Sequence, residues 1–374
     1  MVAGRWMRSA VLTGLALMTG AAQANWGVNL PRGVTETSRE VYDLHMIIFW
    51  ICVVIGVVVF GAMFYALFAH RRSRHPEPAH FHEHTILEVV WTAIPVLILV
   101  AMAIPATVVL VRMEDTSQSE LTIKVTGYQW RWQYEYIDDG VSFFSNLAQS
   151  SRDAMHGDPT GVEHYLLDVD NPVVIPVDTK VRFLITANDV IHSWWVPALG
   201  WKQDAIPGFI NDAWTTVSEP GVYRGQCAEL CGKDHGFMPV VLEVKTRADY
   251  DAWMAEQKKA AEAAASGADR EWKPEELMAR GEQVYNTYCV ACHQKNGQGV
   301  PGAFPSMVGS PIVTGLLEGH MDIVLNGKAG TAMQAFGAQL NDVDLAAVVS
   351  YERNSFGNTA GDYAQPRQVA AARQ

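Results

Sequence analysis

Two apolar runs, Leu44–Ala69 and Val89–Val111, constrain this chain more than any other feature of its sequence. Each exceeds the roughly 20 residues a helix needs to cross the hydrocarbon core of a bilayer. Both are therefore read as membrane-spanning helices, which satisfy their backbone hydrogen bonds internally. Arg71, Arg72 and Arg74 lie between them, and the positive-inside bias puts that loop in the cytoplasm and both outer ends on the far side. Ahead of the helices, Arg5 and Arg8, the apolar run Ala10–Met18 and the triplet Ala22-Gln23-Ala24 follow the order of a secretory signal, with cleavage expected after Ala24. The two signals agree on one topology: a two-pass protein of a bacterial cytoplasmic (inner) membrane, its soluble domains in the periplasm. No run beyond Met113 is long enough to cross again.

The soluble part changes character twice. Residues 121–137, 165–169, 173–177, 181–187, 213–218 and 240–245 read as short strands. Asp138-Asp139-Gly140, Asn171-Pro172 and Glu219-Pro220-Gly221 punctuate them, as in an all-β sandwich. From Arg247 to Trp272 the composition turns to Ala, Lys, Glu and Gln, a helical or partly flexible linker. Helical patterns then cover Glu275–Tyr288 and Asp342–Arg353, and the polar residues beyond Asn358 read as a loose tail. The expected organisation is a signal peptide (1–24), a periplasmic N-terminus and two-helix anchor (25–113), a β-sandwich (114–246), a linker (247–272), a small all-α domain (273–358) and the tail (359–374). A net charge of −12 argues against nucleic acid as a partner, since phosphate binding needs a basic face.

Four of the five cysteines fall in two close pairs, while Cys52 lies within the first apolar run. In an oxidising compartment a disulfide is the default reading of such a pair. The first pair, however, sits in Cys227-Ala-Glu-Leu-Cys231-Gly-Lys-Asp-His235-Gly-Phe-Met238, where thiolate, imidazole and thioether occur within one loop. That combination selects copper over hard cations. A single blue-copper ion uses one cysteine and two histidines; the second cysteine here allows two copper ions to be bridged. His192, in Val190-Ile191-His192-Ser193-Trp194-Trp195 at the end of a predicted strand, is the candidate for the second imidazole. A Cys227–Cys231 disulfide is the competing reading, and it leaves His235 and Met238 unexplained.

The second pair stands in Cys289-Val-Ala-Cys292-His293, the covalent haem c attachment motif, with thioether links from both cysteines and His293 as axial ligand. Met307, Met321 and Met333 are candidates for the sixth ligand. Buried core methionine is the competing reading.

At the membrane, Glu88 opens the second helix in Thr85-Ile-Leu-Glu88. The pattern predicts a capping box with Thr85 as the cap, while a carboxylate at membrane depth facing a protein partner is a functional candidate. His80, His82 and His84 alternate just before it and read as a solvated loop.

From the membrane hairpin to about residue 245 the chain resembles subunit II of cytochrome c oxidase, whose Cys-x-Glu-Leu-Cys-Gly-x-x-His-x-x-Met motif is matched at every specified position. The resemblance implies a cupredoxin Greek-key sandwich holding the binuclear copper A centre. Its bridging thiolates would be Cys227 and Cys231, its imidazoles His192 and His235, its weak thioether Met238, and its backbone carbonyl that of Glu229. It also implies a Mg or Mn ion shared with subunit I and reached by the Glu229 side chain, and an electron-accepting role for Trp130 in the aromatic stripe 128–136, which otherwise reads as sandwich core. Asp204 lies in a stretch that resembles a family loop and is a candidate for docking a cytochrome, with an ordinary turn acid as the alternative. Glu88 is, in the family, at the mouth of a proton path into subunit I. Separately, residues 330–337 resemble the distal loop of class I cytochromes c, which selects Met333 as the sixth ligand, with Met307 second. The combination, a subunit II with a fused cytochrome c, is caa3-like. It implies an electron-input subunit of a haem-copper oxidase, with no catalytic centre of its own, working with subunit I, other oxidase subunits and a soluble or membrane-bound cytochrome c donor. Two rivals share these motifs: the input subunit of a copper A-containing nitric oxide reductase, and a free-standing membrane-tethered electron carrier.

Overall fold

The computed structural model describes residues 27, 29–77, 82–155, 157–267 and 269–373. The expected signal (1–24) and His80 lie outside the described residues. The chain divides into two compact units, one running to Arg247 and one from Ala248 onward that also takes in Asp139–Val141.

Helices α1 (Glu36–Ala69) and α2 (Thr85–Met113) form the membrane hairpin, and their apolar side chains face outward rather than into a protein core. With its 34 residues, α1 is roughly 50 Å long at about 1.5 Å per residue, well beyond the ~30 Å hydrocarbon core. Its first turns therefore stand clear of the membrane. Thr35 caps α1 reciprocally with Ser38: the Ser38 N–H donates to Thr35 Oγ1 at 2.9 Å and the Thr35 N–H donates to Ser38 Oγ at 3.0 Å. Across the outer ends of the hairpin Arg112 pairs with Glu40. The cap of α2 differs from expectation. His84, not Thr85, is the N-cap: its Nδ1 accepts from the Leu87 N–H (3.2 Å), and Glu88 Oε1 accepts from the His84 N–H (3.2 Å). An imidazole nitrogen does there what a hydroxyl was expected to do, and Glu88 still closes the helix start.

A mixed-sheet cupredoxin-like sandwich follows. Strands β1 (Leu121–Tyr128), β2 (Arg131–Tyr136), β3 (Val141–Ser145), β5 (Val181–Ala187) and β8 (Asn211–Thr215) form one sheet in the order β3-β2-β1-β5-β8. Strands β4 (Val173–Pro176), β9 (Gly221–Gln226) and β10 (Pro239–Lys245) form another, in the order β4-β10-β9, and β6 (His192–Trp195) pairs with β7 (Lys202–Ala205) in a hairpin. Alternation along β5 buries Val181, Phe183, Ile185 and Ala187 on one face, as a half-buried strand requires. Tyr136 joins the two larger sheets, its hydroxyl donating to the Val174 carbonyl (2.7 Å) and accepting from the Val174 N–H (2.9 Å).

Two expectations need correction here. Residues 121–137 are two antiparallel strands, β1 and β2, turned at Gln129-Trp130. Residues 165–169 are not a strand: His164 and Leu166 have φ of 54° and 61°, a left-handed geometry that pleated backbone does not contain, and only Val169 makes a bridge, to Leu147. A short helix, α3 (Gln149–Ala154), interrupts the β region.

In the second unit, the stretch expected as a linker contains helix α4 (Arg247–Ser266). Helices α5 (Pro274–Tyr288) and α9 (Asp342–Asn354) cross closely, because a Cβ at Gly281 would meet the Ala347 carbonyl oxygen at 2.2 Å. Between them lie the short α6 (Val290–His293), α7 (Pro311–Thr314) and α8 (Leu317–Asn326). Residues 359–373 are not a loose tail: α10 (Pro366–Ala372) packs Val369, and Ala364 before it, fully into the core of this all-α unit.

Candidate copper centre and haem-attachment site

The loop between β9 and β10 carries most of the copper-type donors. It closes on itself, the Cys227 N–H donating to the Met238 carbonyl at 3.2 Å. It is also tied to β6 through the Ala228 N–H and the Ser193 carbonyl at 3.0 Å. This brings the remote His192 to the loop. Donor atoms then follow one another: His192 Nδ1 lies 3.9 Å from Cys227 Sγ, Cys227 Sγ 3.8 Å from Cys231 Sγ, and Cys231 Sγ 3.5 Å from both His235 Nδ1 and Met238 Sδ. The Glu229 carbonyl oxygen stands 3.4 Å from Cys227 Sγ. Cys227, Cys231, Met238 and His192 are buried.

The cysteines are free, their separation nearly twice the ~2.05 Å of a disulfide. Half that separation is less than a metal–thiolate bond of about 2.3 Å, so one ion can touch both sulfurs from either side of the line joining them. The donor set fits a bridged pair of soft ions. Because a carboxylate only accepts, His192 Nε2 carries its proton to Asp189 Oδ1 at 2.9 Å, which turns the Nδ1 lone pair toward Cys227. Burial is the largest influence on the His192 imidazole and lowers its pKa; hydrogen bonds with Asp189 and then Cys227 outweigh it, and the net shift is upward. In the metal-free pair the Cys231 thiol donates to the Cys227 sulfur, so Cys227 is held well below the ordinary thiol range and Cys231 is pushed up.

Trp130 lies against the same loop, its Nε1 donating to the Cys231 carbonyl at 3.1 Å. Asp204 is on β7 directly opposite Ser193, accepting from its hydroxyl at 2.8 Å; it buttresses the hairpin behind His192. Glu88 is elsewhere, at the start of α2. Sequence reasoning missed Asp189 and Gln129. An acid three residues before a candidate ligand, at a strand-to-strand turn, was the available signal.

In the second unit, Cys289 ends α5, and Cys292 and His293 follow within one turn, the His293 N–H donating to the Cys289 carbonyl at 2.9 Å. Positions i, i+3 and i+4 share a helix face, as two thioether links and an axial imidazole must. His293 Nδ1 donates to the Pro305 carbonyl at 3.1 Å, leaving Nε2 for iron. Met307 and Met321 are buried in the core, whereas Met333 is only partly covered.

Comparison with known proteins bears on three stretches of the chain. Residues 121–245 match the family profile described as cytochrome c oxidase subunit II, periplasmic domain, and residues 23–109 the transmembrane domain of the same subunit. "Probable cytochrome c oxidase subunit 2" of Rickettsia prowazekii is 42% identical over 236 residues, 63% of this chain and 74% of that protein. The chain belongs to the cytochrome c oxidase subunit 2 family. Within that family, the mitochondrial cytochrome c oxidase subunit 2 of Glycine max is 38% identical over 254 residues, 68% of this chain and 64% of that protein. A crystal structure of the periplasmic domain of subunit II from Bradyrhizobium japonicum shares 41% identity, covering 39% of this chain and 98% of that one, with a TM-score of 0.34. Residues 276–351 match a third profile, cytochrome c oxidase, cbb3-type, subunit III. This subunit 2 thus joins a copper A-type periplasmic domain to a haem c-type domain. It is a two-pass membrane protein with periplasmic domains and a non-catalytic subunit of an oxidoreductase complex.

Proposed function

We propose that this chain is the electron-input subunit of a caa3-like respiratory haem-copper oxidase, carrying electrons from a cytochrome c donor through its own haem c and copper A centre to the haem of subunit I, where oxygen is reduced to water with proton translocation. The observation that carries the reading is the row of donors around two unbonded, buried cysteines. When bound, the copper pair and the haem supply one-electron transfer at closed sites, with no open position for substrate.

Every other role falls to this chain's own residues. Cys227 and Cys231 would supply the thiolates, His192 and His235 the imidazoles, and Met238 and the Glu229 carbonyl the remaining donors that hold the copper pair. The Glu229 carboxylate would help to hold a Mg or Mn ion shared with subunit I. Trp130, hydrogen-bonded to the Cys231 backbone, would receive the electron, and Asp204 is a docking candidate. In the second unit Cys289 and Cys292 would attach the haem and His293 would bind its iron, with Met333, partly covered where Met307 is buried in the core, as the residue to complete it. Glu88 is offered as the mouth of a proton path in subunit I, alongside its capping role.

A metal and haem inventory of the intact membrane complex tests this: two coppers and one haem c per chain, a large haem-bearing partner, and oxygen consumption are expected. Turnover of nitric oxide alone, or a chain that purifies without a haem-bearing partner, would overturn it.

A further inference from the structure

Residues 327–341, between α8 and α9, form neither helix nor strand, and they carry Met333. The turn at Met333 is closed by local bonds: the Lys328 N–H donates to the Met333 carbonyl at 3.0 Å, and the Met333 N–H donates to Thr331 Oγ1 at 3.2 Å. The rest of the unit takes hold just beyond it. The Phe336 and Gly337 N–H groups donate to the Val324 and Leu325 carbonyls of α8, both at 2.9 Å. From the other side comes Arg373, which follows α10. Its Nη1 donates to the Gly337 carbonyl, its Nη2 to the Leu340 carbonyl at 2.6 Å, and its Nε to Asp342 Oδ1 at 2.6 Å. A Cβ at Gly337 would stand 2.8 Å from the Leu325 carbonyl oxygen and 3.6 Å from Arg373 Nη1, so the loop is pinched between α8 and the guanidinium. Helix α10 gives that guanidinium a firm base. Val369 is fully buried, the Ala364 N–H donates to Ser350 Oγ of α9 at 2.9 Å, and Gln365 pairs with the Trp272 backbone, accepting from its N–H at 2.9 Å and donating to its carbonyl at 3.1 Å.

We propose that Arg373 is a positioning residue for the sixth haem ligand: its guanidinium fork, based on α10, holds the loop four residues beyond Met333 and so keeps the thioether at the iron. This rests on the reading of Met333 as that ligand. The ion pair is the lesser part of the device, because Arg373 and Asp342 are 30% and 23% exposed and a solvated pair of this kind contributes little. The two carbonyl bonds restrain the loop. A planar fork of donors spread over three acceptors fixes direction as well as distance, which a point charge such as lysine does not.

The test uses the full chain, loaded with copper and haem and purified in detergent, with imidazole titrated against the oxidised haem c and read by its absorption. Imidazole takes the iron only while the methionine is off, so its apparent affinity reports the open fraction. Arg373→Leu should raise that affinity by about 10–100-fold, the change that loss of a hydrogen bond from a charged donor makes in an equilibrium, and should weaken the methionine-to-iron absorption. Arg373→Lys keeps the charge but cannot span three acceptors, and should fall between wild type and leucine. Val369→Ala truncates the buried face of the same helix; it should lower the thermal midpoint and leave the imidazole affinity as in wild type. An equal rise in Val369→Ala would make Arg373 a merely structural residue and overturn the proposal, and full restoration by lysine would overturn it in favour of charge alone. Met333→Ala separates the proposal from its premise. If that variant loses the methionine-to-iron absorption while Arg373→Leu binds imidazole as wild type does, the fork alone is refuted; if it retains the absorption, the ligand reading fails and the fork falls with it.

Discussion

Gly225 offers the sharpest single test of how the copper loop is held. It lies on β9, paired with Val240 and two residues before Cys227. A Cβ built there would stand 1.8 Å from the Trp195 carbonyl oxygen and 2.8 Å from Val196 Cα. Both neighbours belong to the backbone at the end of β6, so neither has a side-chain rotamer to yield. Opening 1.8 Å to an ordinary carbon–oxygen contact of about 3.2 Å needs roughly 1.4 Å of strand separation, and overpacking of this kind costs about 1–3 kcal/mol. That movement separates the strand that begins with His192 from the strand that leads into Cys227, whose donor atoms are 3.9 Å apart. Metal–ligand distances tolerate only about 0.2 Å, so Gly225→Ala should lose the mixed-valence copper spectrum. It should also lower the thermal midpoint of the copper-bearing unit by roughly 2–12 °C, at about 2–4 °C per kcal/mol for a unit of this size. The haem c band belongs to the other unit and should be unchanged. Gly236→Ala is the control: it lies within the copper loop, but a Cβ there meets nothing within 4 Å, and a shift within about 0.5 kcal/mol is expected. Full copper occupancy in Gly225→Ala with an unshifted midpoint would refute the reasoning.

Cys231→Ser should abolish the mixed-valence copper signal and leave the haem c absorption intact; a bridged spectrum in that variant, read by EPR, would mean that the sulfur does not bridge. Met333→Ala should lower the haem potential and remove the methionine-to-iron absorption, since a thioether ligand raises it. Met307→Ala should instead cost about 2–5 kcal/mol of stability as a core truncation with that absorption retained; the reverse pattern would exchange their roles. In the copper-free chain the folded pKa of His192 is raised. Its protonated form therefore stabilises the fold below the unfolded value of about 6.5, and that contribution fades as pH rises through the folded value. Copper needs Nδ1 free, so affinity should climb with pH across the same window, with proton release visible by titration calorimetry in two buffers; an affinity flat from pH 5.5 to 8 would contradict this.

The sequence carries some of these features openly and hides others for physical reasons. The membrane helices, the Cys227–Met238 loop and the Cys289–His293 motif are local in the chain, so composition and spacing display them. Strands β6 and β7 are only four residues each, and the Lys202-Gln-Asp-Ala205 strand is largely polar; it exists because His192–Trp195 offers it a paired edge, which no window of sequence reveals. The C-terminal residues look polar, yet Ala364 and Val369 are fully buried, too few and too small to make a periodic signal. Asp189 escapes because its partners, Gln129 and His192, are brought together by the fold: one is 60 residues distant.

The β6–β7 hairpin explains how a loop rich in glycine and polar residues can hold a fixed position above a membrane. Its tip reaches the first turn of α1, where Thr35 Oγ1 donates to the Leu199 carbonyl at 2.9 Å and the Val34 N–H donates to the Ala198 carbonyl at 2.9 Å. Gly200 has φ of 84°, and a Cβ there would press to 2.5 Å on Ser38 Cα, so this approach is open only to glycine. The hairpin's other end carries His192, and the Ser193 carbonyl takes the Ala228 N–H of the copper loop. From Leu199 back to His192 is seven residues, no more than about 25 Å of chain. The metal-facing imidazole and the loop are thus each one short strand removed from a membrane helix. Sites set on strands and helices are placed more accurately than sites left to loops, and the bolt at Leu199 extends that accuracy from the sandwich to the anchor. The part of α1 that outruns the bilayer is thereby spent on holding the sandwich at a fixed height.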